Sequence, residues 1–134
     1  MNPITVLKIM GEMGLRYRPS EMDQAIDYTT RMMDNGRVIM IWDRDMPQAV
    51  LFFSMTNDPD LFLKKGTWEY RSQDPEGKII YLEKLISRGW NRKLRAQLET
   101  EIIKKYPNMT HGVWHRYAFW GDRKVISKRR LQNV

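Results

Sequence analysis

The spacing of apolar positions changes along the chain. Between Arg37 and Thr56, RVIMIW and QAVLFFSMT are nearly continuous apolar runs, partly β-branched or aromatic, separated by the acidic, proline-bearing DRDMP. Two such runs around a turn predict a β-hairpin, and the lack of a polar face predicts helices packed on both sides of its sheet. KIIYLEKLI returns to strand spacing, with Ile79, Tyr81, Glu83 and Leu85 on one face and Ile80, Leu82, Lys84 and Ile86 on the other. From Asn91 the period lengthens to that of a helix. Leu94, Leu98, Ile102 and Tyr106 form a seam widened by Ile103, while Arg92, Lys93, Arg95, Lys104 and Lys105 stay outside and Pro107 closes the element. HGVWH and KVISKRRL read as two further short strands joined through RYAFWGDR.

The N-terminal third is less regular. Asn2-Pro3 suits the start of a helix with Ile4, Leu7, Met10 and Met13 on its apolar side, yet ITVLKIM also reads as a strand. Ser20 followed by Asp23 resembles a capping box, and Met22, Ile26, Thr29 and Met33 make one face of a helix ended by Asn35-Gly36. NDPDLFLKKGTWEYRSQDPEGK is loop-like, with LFL as a helical turn and TWEYR as a strand. The expected fold is α+β: a mainly antiparallel central sheet with helices on both faces, its one parallel pairing demanded by the strand–helix–strand unit at 78–115.

Composition sets bounds on this reading. With 134 residues, 42% hydrophobic and 11% aromatic, the chain suits a single domain over 1–134 with a real core. Cysteine is absent, which excludes disulfides, a thiol nucleophile and cysteine-ligated zinc. No apolar run approaches the roughly 18 residues of a membrane span, and MNPITVLKIMGEMG is too short and weakly charged for a secretory leader. A cytoplasmic location is the expectation. The net charge of +7 is concentrated near the end, where Arg116, Arg123, Lys124, Lys128, Arg129 and Arg130 face the single acid Asp122. The basic segment 116–134 would attract a polyanion, or it is a solvated tail.

The hairpin at 37–56, the strand KIIYLEKLI, the turn SRGWN, the helix NRKLRAQLETEIIKKYP and the strand HGVWH together resemble the central part of the GNAT superfamily of N-acyltransferases. The resemblance covers residues 20–116. In that family the turn after the fourth strand carries an Arg/Gln-x-x-Gly-x-Gly/Ala signature, whose amides hold the CoA pyrophosphate at a helix N-terminus. Unpaired N–H groups and the helix dipole both favour an anion there. Arg88, Gly89, Trp90, Asn91 and Arg92 stand in that place, without the second small residue, in a turn a residue or two shorter and with the bulk of Trp90 in it. The layout is also similar to toxin-activating lysine acyltransferases, which take acyl groups from acyl carrier protein. Their catalytic histidine precedes the hairpin, where this chain has none: its two histidines are His111 and His115. Small GNAT-like phage proteins, some of them virion components, are similar in size.

The resemblance implies roles for particular residues. Glu83 matches the strand on which family members place a general base, and a carboxylate among Ile79, Tyr81 and Leu85 would favour proton abstraction from an amine; its plainer reading is a salt bridge to an Arg or Lys on the next strand. Glu69 is a weaker alternative base. Tyr117 takes the place of the acid that reprotonates the leaving thiolate, or it packs with Phe119 and Trp120. His111 and His115 share a strand face at a spacing too long for one ion without a third ligand, so no metal is expected. No serine stands in a GxSxG setting, which leaves serine hydrolase chemistry without support.

WHRYAFWGDRKVISKRR interleaves aromatic and basic residues as a single-strand-binding surface does, although its aromatics equally suit a core. Two function classes follow. One is an acyltransferase using acyl-CoA or an acyl carrier protein as donor and an amine as acceptor; the other is a noncatalytic GNAT-like module binding nucleic acid or an assembly partner through its basic C-terminal segment.

Overall fold

The computed structural model describes residues 1–116 and 122–127. Its first element is helix α1 (Pro3–Glu12), which settles the ambiguity of ITVLKIM. The Asn2 side chain accepts from the Thr5 amide at 2.8 Å, and Pro3 occupies the first turn, where its missing N–H leaves no bond unmade. Val6, Leu7 and Met10 are buried whereas Ile4 is exposed, so the buried face is rotated from the one the spacing predicted. A short 3₁₀ turn, Pro19–Glu21, leads into helix α2 (Met22–Asp34). The Arg18 amide donates to the Glu21 carboxylate at 3.1 Å, and this closure stands where the Ser20–Asp23 box was expected.

Helix α2 buries Ala25, Tyr28, Thr29 and Met32, while Met22 is exposed and Ile26 and Met33 are partly covered. The predicted face is one position out of phase, because Tyr28 is the side chain drawn inward. Its ring meets Phe52 edge-on at 5.5 Å and Trp68 at 5.7 Å. Aromatic contacts of this kind add about 0.5–1.5 kcal/mol each beyond the area they bury.

Among the described residues five strands form one sheet in chain order: β1 (Val38–Asp43), β2 (Met46–Thr56), β3 (Ile79–Ser87), β4 (His111–Arg116) and β5 (Asp122–Ser127). Neighbours are antiparallel except β3 and β4, which run parallel on either side of helix α3's successor, α4 (Arg92–Lys105), where α3 is the single turn Asp60–Leu63. The architecture is α+β with a mixed, mainly antiparallel sheet. Helix α4 covers one face, its Leu94, Leu98 and Ile102 packed on Leu51, Phe53 and Leu82, and α1 and α2 cover the other around Val50 and Phe52. Each large apolar side chain buried in these layers contributes roughly 1.5–3 kcal/mol. TWEYR is not a strand. It belongs to the loop between α3 and β3, anchored by Trp68, which is buried against Tyr17 and Tyr28 and donates its indole N–H to Glu21 at 3.1 Å.

Strand β3 departs from strict alternation. Phe52 is in register with Lys84 and Phe53 with Leu82, which leaves Glu83 as the extra residue of a β-bulge. Leu82 and Leu85 therefore share the α4 side, whereas Glu83, Lys84 and Ile86 turn to the α1–α2 side. The expected pairing of Glu83 with Leu85, and of Lys84 with Leu82, is corrected by that one inserted residue.

Just before β3, Gly77 presses on the backbone of Thr56: a Cβ there would lie 2.6–2.8 Å from three main-chain atoms. Gly77→Ala is expected to force the loop away from β2 and to cost about 1–3 kcal/mol, as overpacking against an unyielding neighbour does; a urea melt matching the unchanged protein would refute this account of the loop.

Candidate functional site

Two features meet along the second half of β3. The first is an opening in the sheet. Among the described residues β3 pairs with β4 from Ile79–His111 to Leu82–Trp114 and no further, although β3 continues to Ser87 and β4 to Arg116, the latter held by β5. The strands part at the bulge.

Beyond Ser87 the chain turns into α4. The Arg88 amide donates to the Gln48 carbonyl at 3.0 Å, its Nε donates to the Pro47 carbonyl at 2.7 Å, and its guanidinium lies 4.0 Å from Glu12. Arg88 thus ties the turn to the hairpin. Asn91 caps α4 by accepting from the Leu94 amide at 2.8 Å. Among the described residues, the amides of Gly89, Trp90, Arg92 and Lys93 have no partner within the chain, and Trp90 is 50% exposed and so does not fill the turn. Gly89 meets nothing within 4 Å of a built Cβ, so close packing does not require a glycine there. The turn is open, basic and rich in free donors. From Lys93 a groove of about 570 Å³ runs between α4 and β1, lined by Met40, Trp42 and Gln97.

The second feature is a buried charge cluster on the α1–α2 side of the same strand. The Glu83 side chain is only 2% exposed and that of Arg37, at the entrance to β1, is fully covered. One Glu83 oxygen accepts from the Tyr28 hydroxyl at 2.9 Å and faces Lys65 Nζ at 2.9 Å; the other meets Arg37 Nη2 at 3.1 Å and accepts from the Ser54 hydroxyl, which itself accepts from Arg37. Arg37 also donates to the Phe53 carbonyl at 3.1 Å and lies over the Tyr70 ring at 4.9 Å. Glu83, the residue expected as general base, is here the centre of a closed ion-pair network whose four partners occupy both of its oxygens. Glu69, the alternative, is exposed on the loop and held below the ordinary carboxylate range by its hydrogen bond from Arg71.

Lys84 follows Glu83 on the same face but shares none of these bonds. Its Nζ lies 4.4 Å above the Trp68 ring and 5.6 Å from that of Tyr28. Burial and the nearby Lys65 bring it down to about 8, against some upward pull from Glu83 and Glu21. Burial, reinforced by Glu83, pushes the Tyr28 hydroxyl well above its usual range.

Comparison of the chain with protein families, with characterised proteins and with solved structures gives no match. Of the other expected site residues, Arg116 closes β4 in register with Asp122, and Arg123 and Lys124 lie on β5 opposite His115 and Trp114. Tyr117, Lys128, Arg129 and Arg130 lie outside the described residues. Among the described residues no three His, Cys, Asp or Glu side chains gather as for a metal, and no helix is long and apolar enough to cross a membrane.

Arg37, Ser54, Lys65 and Tyr28 escaped the sequence reading. One signal was available: Ser54 interrupts the apolar run QAVLFFSMT in the middle of a buried strand, and a hydroxyl there needs a polar partner.

Replacing Glu83 by Gln leaves Arg37 and Lys65 buried without a counter-charge, and is expected to cost about 3–5 kcal/mol in urea unfolding. A change below about 1 kcal/mol would show that the network does not hold the fold. Lys84→Met is expected to act in the other direction at pH 7, stabilising by about 1–3 kcal/mol, because it removes a cation that the folded state disfavours. The sign follows from the lowered folded value: between about 8 and the ordinary 10.5 the unfolded chain binds more protons, so native stability climbs with pH across that window and the advantage of Lys84→Met shrinks. Tyr28 acts oppositely above about pH 10, where the unfolded phenol ionises first.

Proposed function

We propose that the chain is a GNAT-like acyltransferase domain that seats the phosphate-bearing arm of an acyl donor on the turn at 88–93, with the acyl portion entering the opening between β3 and β4. The observation that carries this reading is the parting of the two parallel strands along the stretch of β3, Glu83 to Ser87, that leads into that turn. The β3 edge beyond Leu82, unpaired with β4 among the described residues, offers main-chain donors and acceptors to an extended, amide-containing arm, and a helix N-terminus with free amides favours a phosphate. Arg92 and Lys93 add positive charge, and the groove beside Lys93 and Trp42 has the aromatic and cationic lining that suits a nucleotide. Acyl-CoA combines all three parts; an acyl carrier protein supplies the phosphorylated arm alone. The acceptor is an amine, and its deprotonation falls to a group other than the enclosed Glu83.

The second reading, a noncatalytic module that binds nucleic acid or an assembly partner, is favoured by that enclosure of Glu83 and by the position of Arg123 and Lys124 on β5, the last strand of the sheet among the described residues. A phage origin suits this reading, since small GNAT-like proteins occur there.

Isothermal titration separates the two. Acetyl-CoA is expected to bind, and Arg92→Glu to weaken it about tenfold, equivalent to losing about 1.4 kcal/mol of phosphate attraction. No heat with acetyl-CoA or longer acyl-CoA, together with salt-sensitive binding of an oligonucleotide, would transfer the assignment to the second reading.

A further inference from the structure

The charge cluster contains more cations than its one carboxylate can serve. Arg37 and Lys65 both reach Glu83, whose remaining contacts go to Tyr28 and Ser54. Lys84, adjacent in sequence and brought to the same face by the bulge, is the cation left over. It is partly exposed and, among the described residues, has an indole and a phenol ring beside it in place of a bonded carboxylate and lies beyond the last β3–β4 pair. Lys65 from the loop after α3 repels its charge, Tyr28 of α2 is neutral, and Glu21 at the entrance to α2 is engaged by the Trp68 indole. An amine in these surroundings is held ready as a nucleophile rather than as an ion-pair partner.

We propose that Lys84 is an acyl acceptor within the protein itself, taking an acyl group from a thioester. The neutral amine attacks the thioester carbonyl carbon; the C–N bond forms as the C–S bond breaks, the nitrogen gives up a proton, and the departing thiolate leaves as the thiol. The products are an amide on Lys84 and a free thiol, with no oxidant or reductant required. The neighbouring rings of Trp68 and Tyr28 provide an apolar wall for an uncharged acyl chain. The inference deepens the donor-binding reading and rests on it for the nature of the donor, but Lys84 reactivity itself is testable without the phosphate site.

The test compares acetyl-CoA with S-acetyl-N-acetylcysteamine, a thioester lacking the nucleotide and its phosphates, on the full-length unmodified chain at several pH values, with modified lysines mapped by peptide mass spectrometry. Lys84 is expected to be acetylated by both at pH 8 on the order of tenfold faster than exposed lysines, since near that pH about half of it is neutral against less than one in a hundred of an ordinary lysine. Its rate should level off above pH 8 while theirs keeps rising, and urea should abolish the preference. Selective labelling by the small thioester with no advantage for acetyl-CoA supports the acceptor and removes the phosphate site. Labelling of Lys84 no faster than the average surface lysine by either reagent overturns the inference, even if titration shows that acyl-CoA binds. Lys84→Arg, checked by circular dichroism for retained fold, should lose the selective modification; persistence of a fast-labelling site elsewhere would also overturn it.

Discussion

One inserted residue governs the centre of this protein. Because Glu83 is the extra position of the β2–β3 bulge, two consecutive charged side chains, Glu83 and Lys84, enter the same layer between the sheet and helices α1 and α2. A buried charge is tolerated only when partners replace the water it has lost. Four separate elements supply those partners: Tyr28 from α2, Arg37 from the entrance to β1, Ser54 from β2 and Lys65 from the loop after α3. The carboxylate thereby ties together segments far apart in sequence. β3 and β4 also cease to pair at this position. A bulge bends and twists its strand, which gives one local cause for both the inward charges and the opening.

Much of the architecture was legible from local periodicity. The hairpin, the seam of α4 and the single parallel crossover each depend on patterns repeated over many residues, and tertiary packing did not override them. The bulge was not legible, since a strand read at strict period two gives no place to insert a residue. Its consequences therefore reversed the faces assigned beyond Glu83. The phase of α2 was missed for a related reason: Tyr28 carries a polar hydroxyl that looks like a surface group until a buried carboxylate is available to receive it. TWEYR has the β-branched and aromatic content of a strand, yet the contacts of Trp68 with Tyr17, Tyr28 and Glu21 fix it as loop.

The candidate site was legible unevenly. Asn91 as helix cap and the free amides around it follow from the turn-then-helix pattern, which is local. Arg88 was not separable from Arg92 in the sequence; only the fold shows that one is bound to the hairpin carbonyls while the other remains at the surface. For Glu83, the sequence offered both a base and an ion-pair member. The second description matches its surroundings, although its principal guanidinium partner comes from the head of β1, across β2, rather than from an adjacent strand.

Charge accounting then links scaffold and chemistry. A carboxylate with two oxygens satisfied by Arg37, Lys65, Ser54 and Tyr28 has no capacity left for a third cation, so the position next to it cannot be neutralised in the same way. Ring faces beside Lys84 recover only about 0.5–2 kcal/mol of what an ammonium loses on leaving water. Losing the proton relieves the remainder, which is the direction in which Lys84 is shifted. The same network that makes Glu83 a poor partner for an incoming amine thus leaves the following residue as the more nucleophilic amine of the cluster. Structural stabilisation and reactivity are divided between adjacent residues by a single bulge.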